Sequence, residues 1–286
     1  MLNQVIKEFK LNGLSLNEVE DSHSSSVYKV NLRHGEKVFL KIPGSKLKWQ
    51  RELEAYEILK DRVSIPKMLD CWSGNEECPG AFLLSELKGQ PLTNKDAPMV
   101  AFQVGVLHAS MHAIQPPGMQ LTGIQDEFLD WPNFIQRQFY SFAEDVKEVL
   151  DPSLYRQALE KFENMKLQLP PSDGPSFIHM DFRPANIIVD GNKVSGVIDF
   201  ESVRFGSTEI DFTKLYRDFL TFDFNLYRTY QEGYNTIRPL IDLEFVLPFY
   251  QFTDAFNSIG WCKRRGMEKN TLFLKENLSI LKKVLG

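Results

Sequence analysis

His179-Met180-Asp181-Phe182-Arg183-Pro184-Ala185-Asn186, followed by Ile198-Asp199-Phe200-Glu201, is the stretch on which the reading of this chain turns. Two short apolar runs, Asn186–Val189 and Val194–Phe200, flank the turn Asp190-Gly191-Asn192-Lys193. They predict a β-hairpin inside a region that otherwise has helical rhythm. Asp181 and Asn186 lie five residues apart across a proline-containing loop. Asp199 ends the second strand, which can swing its carboxylate back beside Asn186. An amide oxygen and a carboxylate oxygen suit a hard cation such as Mg²⁺ that also keeps phosphate and water ligands. Asp181 is then a separate carboxylate, free to orient and deprotonate a hydroxyl. Phosphoryl transfer needs this division of labour, because most of its catalysis is positioning and charge neutralisation.

These residues resemble the catalytic loop and metal-binding hairpin of the aminoglycoside phosphotransferase/choline kinase-like family, relatives of the protein kinases. Members show a His-x-Asp-x-x-x-x-Asn loop and an Ile-Asp-(Trp/Phe)-Glu hairpin end, and both occur here in order. The resemblance implies that Asp181 is the catalytic base, that Asn186 and Asp199 hold Mg²⁺, and that His179 braces the loop. It spans about residues 15–260, with its specific motifs at 179–201.

Outward from the hairpin, the N-terminal third is β-rich. Val27–Leu32 and Val38–Ile42 predict a hairpin around His34-Gly35-Glu36, and Lys46–Lys60 has Leu47, Leu53, Tyr56 and Leu59 at helical spacing. Met68–Trp72 and Ala81–Leu87 are two further strands. Lys88–Pro98 is polar and irregular, with Gly89, Pro91 and Pro98, and reads as a linker. Helices are expected over Met99–Ile114, Asn133–Val149, Ser153–Leu167 and several times after Thr208. The expected fold is α+β and, by the resemblance, a two-lobed protein-kinase-like fold. Residues 1–87 form a small N-lobe of sheet plus one helix, 88–98 the hinge, and 99–286 a larger helical C-lobe.

A site of this kind needs a cation on the phosphates and an acid to hold that cation still. Lys41 points opposite to its apolar strand neighbours, and the resemblance makes Glu52 its partner, with Glu54 and Glu57 as rivals on the same helix. It also makes the run through Glu86 and Leu87 the linker whose backbone meets a purine edge. The phosphate-covering turn falls at Asp21–Tyr28, where Ser24 and Ser25 offer hydroxyls and N–H groups to phosphate oxygens. That turn has no glycine, so it lacks positive-φ freedom. His108 and His112 are spaced i, i+4 and could chelate a metal, but nothing in the sequence supplies an obvious third ligand, and a packing role is expected. Asp211 either caps a helix start or, as in the family, braces the catalytic loop.

The chain has 286 residues, 43% hydrophobic and 25% charged, which excludes a disordered or collagenous protein. A net charge of −5 argues against a nucleic-acid partner. No apolar run reaches 18 residues, so a membrane span is not expected. Cys71, Cys78 and Cys262 are an odd count without a Cys-x-x-Cys pair, which fits free thiols and a cytoplasmic setting. Only eleven residues separate Asp199 from Asp211 and no Ala-Pro-Glu follows, which favours a small-molecule acceptor over a docked peptide. The acids of residues 120–163 outnumber the bases by five. Such an acidic insert could attract a polycation, although a solvated helix face is the commoner cause. Aromatic residues such as Trp131, Tyr140, Phe222, Tyr227, Tyr230, Tyr234, Phe249 and Trp261 could line a pocket for an amine. The expectation is transfer of the γ-phosphoryl of ATP (GTP is possible) to a hydroxyl of an aminoglycoside-, choline- or homoserine-like acceptor. A nucleotide-binding protein without transfer activity is the alternative, and a metal-dependent phosphoesterase a more distant one.

Overall fold

Polar and apolar residues alternate within several short runs between Ser15 and Ser85, and those runs become the strands of one antiparallel sheet. The structure is a computed structural model that describes residues 1–11, 13–19, 25–32 and 35–286. Its first elements are α1 (Leu2–Glu8), β1 (Ser15–Glu18), β2 (Ser25–Asn31), β3 (Lys37–Pro43), α2 (Lys46–Leu59), β4 (Met68–Trp72) and β5 (Ala81–Ser85). The sheet order is β1-β2-β3-β5-β4. The expected hairpin is β2–β3, in register Val27↔Lys41 and Val30↔Val38. α1 and β1 are additions to the expected sheet and single helix. At seven and four residues they are too short to show a period.

The sheet has two apolar faces. Val30, Val38, Leu40, Ile42 and Ala81 pack with Val5, Phe9, Leu11 and Cys78 from the α1 side. On the opposite face Phe82 and Leu84 meet Trp49, Ala55, Tyr56 and Leu59 of α2, and this cluster runs on into the core of the helical lobe. Ser45 caps α2 by accepting the Lys48 N–H at 3.3 Å. Trp49 stacks on Phe82 with centroids 5.8 Å apart. Lys41 alternates with Leu40 and Ile42, so its side chain emerges on the α2 face.

The remaining elements are β6 (Gln90–Pro91), α3 (Pro98–His112), α4 (Trp131–Ser141), α5 (Ala143–Lys147), α6 (Pro152–Lys166), β7 (Ser176–Ile178), β8 (Ile187–Asp190), β9 (Lys193–Val197), β10 (Arg204–Gly206), α7 (Glu209–Asp218), α8 (Phe224–Tyr234), α9 (Leu243–Arg265) and α10 (Thr271–Leu285). The expected linker is stitched to the expected hairpin, because β6 pairs with β8 through Gln90↔Val189. The single helix expected over 133–149 is two, broken at Phe142. There the ring lies against Gly260 of α9, where an added Cβ would meet Phe142 at 2.7 Å. β9 stops at Val197, so Asp199 sits beyond the strand, in a left-handed conformation with φ 73°. Among the described residues no helix is long and apolar enough to cross a membrane.

α3 and α8 cross so closely that side chains are excluded at the contact. A Cβ on Gly105 would fall 2.2 Å from the Tyr230 carbonyl oxygen, and one on Gly233 would fall 2.0 Å from that of Phe102. This approach sets His108 and His112 on α3 opposite Tyr230 and Tyr234 on α8. Gly233→Ala should therefore destabilise the chain. An alanine gains ~1 kcal/mol of helix propensity, and the overpacking leaves a net loss of about 1–2 kcal/mol. Urea unfolding, read as a lower midpoint at unchanged m value, checks this.

Candidate active site

Lys41 links three parts of the chain. Its Nζ donates to Glu52 Oε1 at 2.9 Å and to Asp199 Oδ1 at 2.7 Å. Sheet, helix and hairpin therefore meet at one ammonium group. Burial works against its charge, but Asp199 and Glu52 outweigh burial and hold the ammonium above the ordinary lysine range. Burial also opposes the charge on Asp199, yet Lys41 keeps that carboxyl below the usual carboxylate range. Glu52 is fully buried, and burial pushes it up to about 7 although Lys41 pulls the other way. Its Oε2 has no partner among the described residues. The rivals are engaged or remote: Glu54 binds the turn at Thr122–Ile124, and Glu57 is exposed.

The loop after β7 carries the other carboxylate. Asp181 Oδ1 accepts from Lys214 Nζ at 2.6 Å, and Oδ2 accepts from Arg183 Nε at 3.1 Å and Asn186 Nδ2 at 3.0 Å. Asn186 Nδ2 also donates to the Asp181 carbonyl at 2.9 Å. The amide nitrogen is thus committed to the loop, and the amide oxygen is the group left for a cation. With the second oxygen of Asp199 it would offer a hard, all-oxygen donor set, of the kind that Mg²⁺ takes. Lys214 escaped the sequence reading. It lies three residues beyond Asp211 on α7, a spacing that puts both on one face of the helix, and that spacing was the available signal. Burial lowers its charge preference, but Asp181 and Asp254 outweigh burial and raise it.

Asp211 sits beneath the loop. Its carboxylate accepts the N–H of His179 at 2.5 Å and of Met180 at 2.6 Å, and Met180 has φ 66°. Of the two roles expected for Asp211, these bonds select the brace. His179 Nε2 lies 3.0 Å from the Ile198 carbonyl oxygen, tying the loop to the end of the hairpin. The histidine pair on α3 does find a third group: His112 Nε2 and His108 Nε2 lie 3.4 and 3.8 Å from Asp211 Oδ2. Their Nδ1 atoms meet the Tyr234 and Tyr230 hydroxyls at 2.9 and 2.7 Å. His108 also stacks on Phe182 at 3.8 Å. The carboxylate is already taken by two backbone donors, so the cluster is a buried hydrogen-bonded brace under Asp181, consistent with the packing role expected for the pair.

The remaining candidates lie around this centre. Glu86 and Leu87 follow directly on β5, past its last ladder pair Ser85↔Val38, and Glu86 pairs with Lys29 at 3.2 Å. Ser25 opens β2 opposite Pro43 at the end of β3. Ser24 and the preceding residues 20–23 lie outside the described residues. Most acids of 120–163 are engaged by neighbours: Glu127 and Asp130 by Arg137, Asp145 by Arg264, Glu148 by Lys263, and Glu163 by Lys166, while Asp151 caps α6. Trp131, Tyr230, Tyr234 and Phe249 are core residues. The surroundings of Lys214 are instead Arg217 paired with Asp254 on α9, and Tyr216 edge-on to Tyr227.

Residues 15–249 match the profile of a family described as the phosphotransferase enzyme family, APH. No curated protein sequence matches the chain. Among solved structures, the GDP and kanamycin complex of APH(2")-IIia superposes with a TM-score of 0.77 at 16% identity, covering 99% of this chain and 97% of that one. The macrolide 2'-phosphotransferase MphH from Brachybacterium faecium gives 0.72 at 13% identity, covering 98% of each chain. Plasmodium vivax ethanolamine kinase gives 0.66 at 15% identity, covering 96% and 82%. At these identities the superpositions speak for the fold.

The buried histidines make folding sensitive to acid. Burial and His112 pull His108 down to about 3, and burial lowers His112 as well. In the unfolded chain each takes a proton near the ordinary histidine value of 6.5. Below that pH the unfolded chain therefore binds more protons than the folded one. Stability is lost as pH falls, by up to about 1.4 kcal/mol per pH unit for each histidine. Urea unfolding at pH 7 and 5.5 should show this slope, and His108→Gln should flatten it by about one proton. A slope that the substitution leaves unchanged would rule out a neutral buried His108.

Proposed function

The chain belongs to the phosphotransferase enzyme family, and on that premise we propose that it moves the γ-phosphoryl group of ATP to a hydroxyl of a small molecule. The observation that carries the reading is Lys41 held between Glu52 and Asp199, beside a hairpin that joins Asp181 to Asn186. Lys41 would engage the phosphates and Glu52 would fix Lys41. Asp199 and the amide oxygen of Asn186 would hold Mg²⁺, which neutralises phosphate charge when bound. The backbone at Glu86 and Leu87 would take the purine edge, Ser24 and Ser25 would lie over the phosphates, and residues 88–98 would serve as the hinge. A cytoplasmic setting, with its three thiols reduced, belongs to the same proposal.

Asp181 supplies the base. As the acceptor oxygen attacks the γ-phosphorus, its proton passes to the Asp181 carboxylate. The new O–P bond forms while the bond to the β-phosphate oxygen breaks, and ADP leaves. Arg183, Asn186 and Lys214 fix both carboxylate oxygens, so the base meets the hydroxyl already oriented. The acceptor would lie on the α7 and α9 side of Asp181, where Lys214 pairs with Asp181 and Arg217 with Asp254. With most acids of 120–163 also paired, this supports a small hydroxyl compound of choline-, ethanolamine- or homoserine-like size at least as well as an aminoglycoside.

ADP release from Mg-ATP, measured with aminoglycosides, choline, ethanolamine, homoserine and sugars, tests the reading. One acceptor should stimulate release, and Asp181→Asn should reduce the stimulated rate by about 10²–10⁴-fold with nucleotide affinity retained. EDTA should abolish it. Full activity of the Asp181 variant would remove that residue from the chemistry.

Lys214 offers a second check. Its Nζ lies 2.6 Å from Asp181 Oδ1 and fixes where that carboxylate sits. Lys214→Met should lower the acceptor-stimulated kcat by about tenfold, while Lys214→Arg should retain most of it. Parental kcat in Lys214→Met would show that Lys214 does not position the base.

A further inference from the structure

α2 brings Glu52 to Lys41, yet three of its other polar side chains, Lys48, Arg51 and Glu54, bind the helical lobe. Lys48 Nζ donates to Glu201 Oε1 at 3.1 Å. Arg51, itself buried, donates through Nη1 to the Glu201 carbonyl at 2.9 Å and through Nε to the Gly123 carbonyl at 3.1 Å. The Glu54 carboxylate accepts the N–H groups of Thr122, Gly123 and Ile124 at 2.9, 3.0 and 2.8 Å, and the Thr122 hydroxyl at 2.9 Å. Three successive backbone donors on one carboxylate make a charge-assisted clasp. The turn and the helix are also in direct contact, since a Cβ on Gly123 would fall 2.4 Å from the Arg51 nitrogen.

We propose that Arg51 and Glu54 are positioning residues that clamp α2 onto the turn at Thr122–Ile124 and onto Glu201, and so hold Glu52 at Lys41 without an activating event. This rests on the reading above, in which Lys41 and Glu52 place the phosphates. The constraint is physical. Glu52 is a buried acid with one unpartnered oxygen, so burial alone favours withdrawing it toward water. Its neighbours in sequence, anchored at both sides, prevent the helix from swinging away. Control of the equivalent lysine–glutamate pair through helix position is how protein kinases are switched. Here the switch position is filled by contacts within the chain.

The test uses Mg-ATP alone, with water as acceptor, and reads kcat/KM for basal ADP release alongside the melting temperature. Glu54→Ala should lower kcat/KM at least about tenfold in a chain that still melts cooperatively, and Glu52→Gln should lower it comparably. In the double variant the losses should not multiply, because Glu54 acts through Glu52. Gly123→Ala, which pushes the turn off the helix from the other side, should reproduce the Glu54→Ala loss and carries the comparison should Glu54→Ala fold poorly. Multiplicative losses, or parental kcat/KM in either the Glu54 or the Gly123 variant, overturn the proposal while leaving Lys41 and Glu52 in their roles. Parental activity of Glu52→Gln overturns both the clamp and the phosphate-positioning reading beneath it.

Discussion

One buried ammonium group constrains this molecule more than any other. Lys41 Nζ is removed from water, and with neither carboxylate partner its charge would be uncompensated at a cost of about 3–5 kcal/mol. Satisfying it requires Glu52 from a helix eleven residues away and Asp199 from a hairpin 158 residues away. The sheet must therefore present Lys41 on its α2 face, α2 must lie against the helical lobe, and the chain after β9 must turn back through a positive φ at Asp199. Alternation along β3 supplies the first condition, the clasp on Arg51 and Glu54 the second, and Asp199, a residue type that tolerates this conformation, the third.

A second buried charge organises the catalytic loop in the same manner. Asp211 is held far below the carboxylate range, because the two histidines facing it outweigh burial. Its hydrogen bonds to the His179 and Met180 N–H groups fix the backbone two residues before Asp181. The brace extends through His108 and His112 to Tyr230 and Tyr234, so the close crossing of α3 and α8 at Gly105 and Gly233 bears on where Asp181 sits. Loop geometry is thus set by helix packing well below the cleft.

The hairpin, the β2–β3 pair, α2 and the closeness of Asp181 to Asn186 were legible in the sequence, because each is encoded within a short window by spacing or alternation, while the Lys41–Glu52 pair was read from the family resemblance, with Glu54 and Glu57 as rivals. Contacts that join distant windows were not legible. The spacing of Lys214 from Asp211 marks a shared helix face but does not name Asp181, and Glu54 read as a rival for Lys41 because helix spacing cannot reveal a turn seventy residues on. The third group facing His108 and His112 was missed for the same reason, since Asp211 lies about a hundred residues beyond them. α1, β1 and β10 are too short to carry a period, and the contact of Phe142 with Gly260 at the helix break joins windows far apart in sequence.

The two partners of Lys41 are not equivalent, and the difference bears on how the site would work. The Glu52 side chain is 1% exposed and that of Asp199 is 34% exposed. Among the described residues the more open partner of Lys41 is Asp199, which on the proposed reading is the side a nucleotide phosphate would meet. On the proposed reading, the phosphate takes over the place of Asp199 on the ammonium and frees that carboxylate for the cation that accompanies the nucleotide. Glu52, out of reach of solvent and clamped through its neighbours on α2, stays where it is. Each charge then exchanges one partner for another, and none is left bare during binding. That is the condition a low-dielectric site must meet if nucleotide entry is not to be opposed by its own ion pairs.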